Sequence, residues 1–196
     1  MSVISTLLEL QRLKRLDRTG WVLRGLPNGT ESVAAHSFGV AVTAMLLADE
    51  LQTHGVEVDV EKLIRIALVH DWAEARVGDM PRTATEYFGA DTRRRAESAA
   101  FADIVCQLSN RVRYDELYND YELRESVEAR LVKAADILDL LMQVLSLERA
   151  GARGLDEFWD VAKNPDFQLD GVARDKVEQL IRSLVEARGE LCSSGR

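Results

Sequence analysis

The sequence predicts an all-α fold, on three observations. Alanine, leucine, glutamate and arginine, all good helix formers, dominate the 196 residues. Glycine and proline are modest at 12 and 3, and aromatic residues make up only 6%. Apolar residues recur at helical spacing, most plainly in "LVKAADILDLLMQVL". At 46% hydrophobic, a chain of this length can bury the core of one compact domain.

The elements follow in order. Leu7, Leu8, Leu10 and Leu13 mark an amphipathic first helix ending near Leu16. It has neither the basic leading region nor the small-residue cleavage site of a secretion signal. "DRTGWVLRGLPNGTES" reads as a turn-rich loop carrying two arginines and a tryptophan. Thr30 or Ser32 can cap a second helix reaching about Thr53, with Gly55 beyond its end and His54 at the negative pole of its dipole. Asp59 can cap a third, running through "VEKLIRIALVHDWAEA" to Gly78. "DMPRTATEYFGAD" is a loop with a short helical turn. Helices are expected over about 91–110 and 115–149, the latter broken near Tyr121. Gly151 and Gly154 precede a short helix around Leu155–Ala162, and a last helix spans about Asp170–Ala187. No repeat, linker or composition shift divides the chain. The expectation is one domain over 1–196, with its core at about 13–145, C-terminal helices at about 154–188 and a mobile tail at 189–196.

Charge and cysteines narrow the function classes. Twenty-five basic against 33 acidic residues give a net charge of −8, which argues against binding a nucleic-acid polymer. A small phosphorylated ligand stays admissible if a metal or an arginine supplies local positive charge. No apolar run approaches the roughly 20 residues that span a membrane. Of the two cysteines, Cys106 in "FADIVCQL" reads as a core residue and Cys192 as part of a polar tail. Without a CxxC pair or a disulfide framework, a reducing cytoplasm is the expected setting.

Three histidines is few enough for position to be informative. His36 lies early in the second helix, and His70 adjoins Asp71 where "LIRIALVH" meets "DWAEA". Asp136 interrupts an apolar stretch, flanked by Ala134, Ala135, Ile137 and Leu138, whereas Asp139 can sit on the exposed edge. Alone, each has an ordinary structural reading, such as a buried His–Asp hydrogen-bonded pair. Together, two imidazoles and two carboxylates on apolar helix faces suit one divalent ion, Mn²⁺, Fe²⁺, Co²⁺ or Zn²⁺, with positions left open. Side chains from several packed helices are the usual way to build such a site.

The ordered quartet His36, His70–Asp71 and Asp136 resembles that of the HD-domain metal-dependent phosphohydrolases. Within that superfamily, "LKRLDRTGWVLRGL", "ESVAAHSFGVAVTAMLLA", "IALVHDWAEARVGDMP" and "EARLVKAADILDLL" look like the 5′-deoxynucleotidase branch over about residues 13–145. The Arg-Thr-Gly-Trp spacing is that of its eukaryotic and archaeal members. The resemblance implies a single helical HD-domain fold with the metal in the helix-bundle core, and hydrolysis of deoxyribonucleoside 5′-monophosphates to deoxynucleoside and phosphate. The metal would act as Lewis acid, with His36, His70, Asp71 and Asp136 as ligands. Asp71 and Glu74 would be the catalytic residues, Glu74 orienting water or moving a proton from one helical turn on. Arg18 would contact phosphate, Asp79 the 3′-hydroxyl, and Trp21 would crowd a ribose 2′-hydroxyl. A homodimer is implied as well.

Each of these residues also has a plainer role. Glu74 could pair with Arg76 or Lys62, Asp79 could mark a helix exit, Arg18 could be solvated, and Trp21 could anchor its loop. Lys133 could neutralise an acidic site or face solvent, and "TRRRAES" reads as a solvated charge run. With no histidine between Asp71 and Asp136, a mononuclear site fits better than the two-metal phosphodiesterases or oxygenases. The rival readings are an HD-type hydrolase of another nucleotide or phosphate ester, and a non-catalytic helical binding or dimerisation module.

Overall fold

A computed structural model describes residues 3–194. Helices make up all the regular structure among them: α1 (Val3–Leu10), α2 (Thr19–Val22), α3 (Val33–Thr53), α4 (Val60–Val69), α5 (Glu74–Val77), α6 (Arg82–Phe88), α7 (Ala90–Val105), α8 (Arg111–Leu123), α9 (Val127–Arg149) and α10 (Gly171–Ser194), with 3-10 segments at Gln11–Lys14 and Asp156–Ala162. The all-α expectation holds. The chain divides into two compact units, 1–38 with 68–122 and 39–67 with 123–196.

Two of the expected caps form. Ser32 Oγ accepts the Ala35 N–H at 3.1 Å and starts α3, so Ser32 rather than Thr30 is the cap. Asp59 Oδ1 accepts the Lys62 N–H at 3.0 Å and starts α4. His54 Nδ1 lies 2.9 Å from the Glu50 carbonyl oxygen at the C-terminal end of α3, and Gly55 follows at φ 79°.

The first unit is centred on α7 and α8. Phe101 stacks on Tyr118 at 4.1 Å between centroids, and Trp72 lies over Tyr114 at 5.5 Å. Thr6 Oγ1 donates to the Ile104 carbonyl at 3.0 Å, tying α1 to α7. Arg76 on α5 grips Glu9 with a fork of 2.6 and 3.1 Å and reaches Asp103 at 2.8 Å. This joins the short α5 to α1 and α7.

In the second unit α9 is the buried axis, starting where Ser126 Oγ accepts the Ala129 N–H at 3.2 Å. The chain breaks before it at Arg124, which takes φ 54°, so the interruption expected near Tyr121 falls slightly later. Gly39 lets α3 meet α9: a Cβ there would overlap the Asp139 carboxylate. Asp139 is therefore half-buried against Gly39 rather than on an exposed edge.

Four sequence expectations change. The third helix does not run unbroken to Gly78; it unwinds at His70–Ala73 and resumes as α5. Cys106 is exposed, because α7 buries Phe101, Ile104 and Val105 and ends before the cysteine. Cys192 is exposed on α10, which reaches Ser194 instead of stopping near Ala187, leaving only 195–196 of the expected tail outside the described residues. Among the described helices, α3 is long and apolar enough to cross a membrane, a property that core helices share.

Candidate metal centre

The His-Asp doublet sits where backbone regularity is given up. Trp72 N–H bonds the Val69 carbonyl at 3.1 Å, and Glu74 N–H bonds the Asp71 carbonyl at 3.1 Å. These are i to i+3 contacts, tighter than those of an α-helix. The tightened turn brings both side chains of the doublet toward one place, which two successive positions on a regular helix reach less easily. His70 Nε2 lies 3.2 Å from Asp71 Oδ2, and His36 Nε2 lies 3.8 Å from the same oxygen. The imidazoles meet edge to face at 5.7 Å between centroids, and Tyr121 covers the other side of His70 at 5.2 Å.

His36, His70 and Asp71 each offer a ligand atom, all within 4.8 Å of one another. His36 and His70 are 1% and 4% exposed. Asp71 Oδ2 is buried and makes no hydrogen bond among the described residues. A buried carboxylate oxygen is costly unless positive charge faces it, which the Arg18 guanidinium at 3.5 Å supplies from one side. This donor set fits a divalent ion of the Mn²⁺ to Zn²⁺ series. Asp136, the fourth residue of the sequence quartet, belongs to the second unit, where its Oδ2 accepts from Lys133 Nζ at 2.7 Å. Its place among the ligands rests on sequence alone.

The groups around the cluster divide into low and high proton affinity. Burial works to raise the pKa of Asp71, but His70, His36 and Arg18 outweigh it and hold the carboxyl well below the usual carboxylate range. Glu74, 5% exposed, has its Oε2 buried without a hydrogen-bond partner among the described residues. Burial first, then the negative charges of Asp71 and Asp79, push its pKa up to about 10 against the pull of Arg18 and Arg93. Of the alternative partners for Glu74, Arg76 is committed to Glu9 and Asp103, and Lys62 faces Glu128 at 3.7 Å.

The remaining sequence candidates have definite places. Arg18 Nη1 is 3.5 Å from Asp71 Oδ2, so it borders the cluster rather than open solvent. Asp79 Oδ2 accepts the Thr19 N–H at 2.5 Å, and Thr19 Oγ1 donates to the Asp79 carbonyl at 2.7 Å, which joins Asp79 to the Arg18 loop. Trp21 is 2% exposed and donates Nε1–H to Glu31 Oε2 at 2.6 Å, the loop-anchoring arrangement. Sequence reasoning missed Arg93: its guanidinium donates to the Met80 carbonyl at 3.2 Å, immediately after Asp79. The only advance signal was an arginine four residues before a glutamate on one helix, a pattern also common on surfaces.

The HD domain model matches residues 10–165. The chain belongs to the HD domain family. HD-domain relatives include the human 5′-deoxynucleotidase HDDC2, 33% identical over 164 residues that cover 81% of this chain and 76% of that one. The Schizosaccharomyces pombe 5′-deoxynucleotidase hdd1 is 32% identical over 81% of this chain and 79% of its own. Among solved structures, the PH0347 protein of Pyrococcus horikoshii superposes with a TM-score of 0.80 at 36% identity, covering 94% of this chain and 99% of that one. A predicted metal-dependent phosphohydrolase from Magnetospirillum magnetotacticum shares the HD fold at 24% identity, with a TM-score of 0.68 over 98% of this chain and 92% of that one.

Proposed function

We propose that this chain is a metal-dependent 5′-deoxynucleotidase, hydrolysing deoxyribonucleoside 5′-monophosphates to deoxynucleoside and phosphate. The observation that carries the reading is the grouping of His36, His70 and Asp71 with the Arg18 guanidinium 3.5 Å from Asp71, beside the buried Glu74. Relatives that bear this activity in their names, at 31–35% identity over most of the chain, support it.

In this reading His36, His70 and Asp71 hold one divalent ion, and Asp136 is assigned as the fourth ligand from the sequence quartet. The ion supplies Lewis-acid charge at the phosphoryl group. Arg18 binds a phosphate oxygen through its forked donors. Hydrolysis forms a bond from water oxygen to phosphorus and breaks the bond from phosphorus to the 5′ oxygen, which must leave with a proton. Glu74 Oε2 carries that proton in transfer between water and leaving group. Asp79 accepts a hydrogen bond from the 3′-hydroxyl, and the turn that Trp21 anchors crowds the C2′ side of the sugar. A ribose hydroxyl placed there loses water without gaining a partner, at a cost of about 1–3 kcal/mol, which gives a tenfold to hundredfold preference for deoxyribose. A homodimer and a reducing cytoplasm complete the proposal, the latter in keeping with two exposed free thiols.

The test is phosphate release from a panel of deoxy- and ribonucleoside mono-, di- and triphosphates with Mn²⁺, Co²⁺, Fe²⁺ or Zn²⁺. Deoxynucleoside monophosphates should be hydrolysed well whatever the base. Equal kcat/KM for dAMP and AMP would turn the reading toward a general nucleotide phosphohydrolase. A purified chain that contains no metal and gains no thermal stability from any of these ions would favour a binding module.

A further inference from the structure

The three arginines of "TRRRAES" part company in the folded chain. Arg94 stays at the surface and pairs with the exposed Asp91 at 2.8 Å. Arg93 turns inward, with 31% of its side chain exposed. Its Nε donates to Glu97 Oε1 at 2.7 Å, one turn along α7, and Glu97 is itself largely covered. Its Nη1 donates to the Met80 carbonyl at 3.2 Å and reaches Thr85 Oγ1 at 3.5 Å. Glu97 therefore aims the guanidinium, and the guanidinium holds the chain segment between α5 and α6. That segment carries Asp79, whose carboxylate and carbonyl engage Thr19 in the Arg18 loop.

The charge of Arg93 has a second effect. Glu74 and Asp79 both act on Arg93 electrostatically, and all three lie in the first unit. A site that gathers the carboxylates of Asp71 and Asp79 concentrates negative charge where a dianionic phosphate ester must enter. Arg18 offsets this from one side; Arg93 does so from behind the Asp79 turn.

We infer that Arg93 is a positioning residue for substrate binding, aimed by Glu97, which fixes the Asp79–Met80 turn against α7 and lowers the repulsion that an incoming nucleotide meets. This rests on the hydrolase reading above. The role falls on binding and on the sugar side of the substrate, so it is visible in KM more than in kcat.

The experiment compares wild type with Arg93→Gln, Arg93→Lys and Glu97→Gln, each purified with its metal and checked for metal content and melting temperature. With dAMP as substrate, Arg93→Gln should raise KM on the order of tenfold while kcat changes by less than about threefold. Arg93→Lys, which keeps the charge and one donor, should recover part of the loss. Glu97→Gln, which keeps an acceptor for Arg93 Nε but removes the charge that strengthens the bond, should move KM in the same direction by less, and it decides the matter if Arg93→Gln does not fold. A merely structural role would reduce the active fraction, lowering kcat at constant KM. That pattern, or wild-type KM in the folded, metal-loaded variants, would overturn the inference and leave the hydrolase reading standing. No phosphate release from any deoxynucleotide by the wild-type chain would overturn both.

Discussion

Glu74 and Glu148 are both buried glutamates on helices, one in each unit, and they are treated in opposite ways. Glu148, 8% exposed, receives a fork from Arg188, with Nε at 3.0 Å and Nη2 at 2.8 Å. Arg188 also reaches Asp156 at 2.7 Å and lies over the Trp159 ring at 5.0 Å. Glu128, the other buried glutamate of the second unit, accepts the Asp59 N–H at 3.0 Å and faces Lys62. Glu74 is just as buried, yet its Oε2 has no donor and its near neighbours include the carboxylates of Asp71 and Asp79. The same side chain is thus given a counter-ion in one unit and set among carboxylates in the other. The backbone follows the same division: α9 runs unbroken from Val127 to Arg149, while the segment bearing His70 and Asp71 unwinds.

The contrast can be broken most completely at the cluster itself. His70→Ala should lose both its bound divalent ion and its phosphate release; elemental analysis of protein purified without chelator checks this, and full occupancy in the variant would rule out the ligand assignment. Next in size, Glu74→Gln should keep the ion and the melting temperature of the loaded protein while turnover falls on the order of 10²-fold. Wild-type turnover in that variant would remove Glu74 from the mechanism. In the second unit the signs reverse. Arg188→Ala strips the fork from a buried carboxylate and should cost roughly 2–4 kcal/mol of unfolding free energy, with kcat unchanged. Denaturant titration and steady-state kinetics on one preparation would show whether the two buried glutamates separate in this way.

A pH dependence tests the same contrast without a substitution in the second unit. Folded and metal-free, Glu74 holds its proton to about 10, whereas an unfolded glutamate releases it near 4.3. Between those values the folded chain binds the extra proton. The stability contributed by this group is therefore fully present at acidic pH and is lost as pH rises toward the folded value. The melting temperature of chelator-treated wild type should fall relative to Glu74→Gln between pH 5 and pH 9. A difference that does not vary with pH would mean that Glu74 is ionised in the folded chain.

The amino-acid sequence by itself determined the helical class, the Asp59 cap and the choice of Thr30 or Ser32 for the other, and it singled out His36, His70 and Asp71, whose ligand atoms lie within 4.8 Å of one another. These are legible because periodicity, capping chemistry and residue type are local properties, or sum over a few turns. It could not show that the helix bearing His70 unwinds: "LIRIALVHDWAEA" has no glycine or proline to mark the break, and the turn is held by packing such as Trp72 against Tyr114. Nor could it say which arginine of three turns inward, or which buried glutamate has an oxygen with no donor among the described residues. Arg76 finds Glu9, Arg188 finds Glu148, and Arg93 finds the turn after Asp79, all across many residues of chain. Only tertiary structure decides such pairings, because an ion pair or an orphaned carboxylate is a property of what the fold brings within a few ångströms, and residue order does not encode that distance.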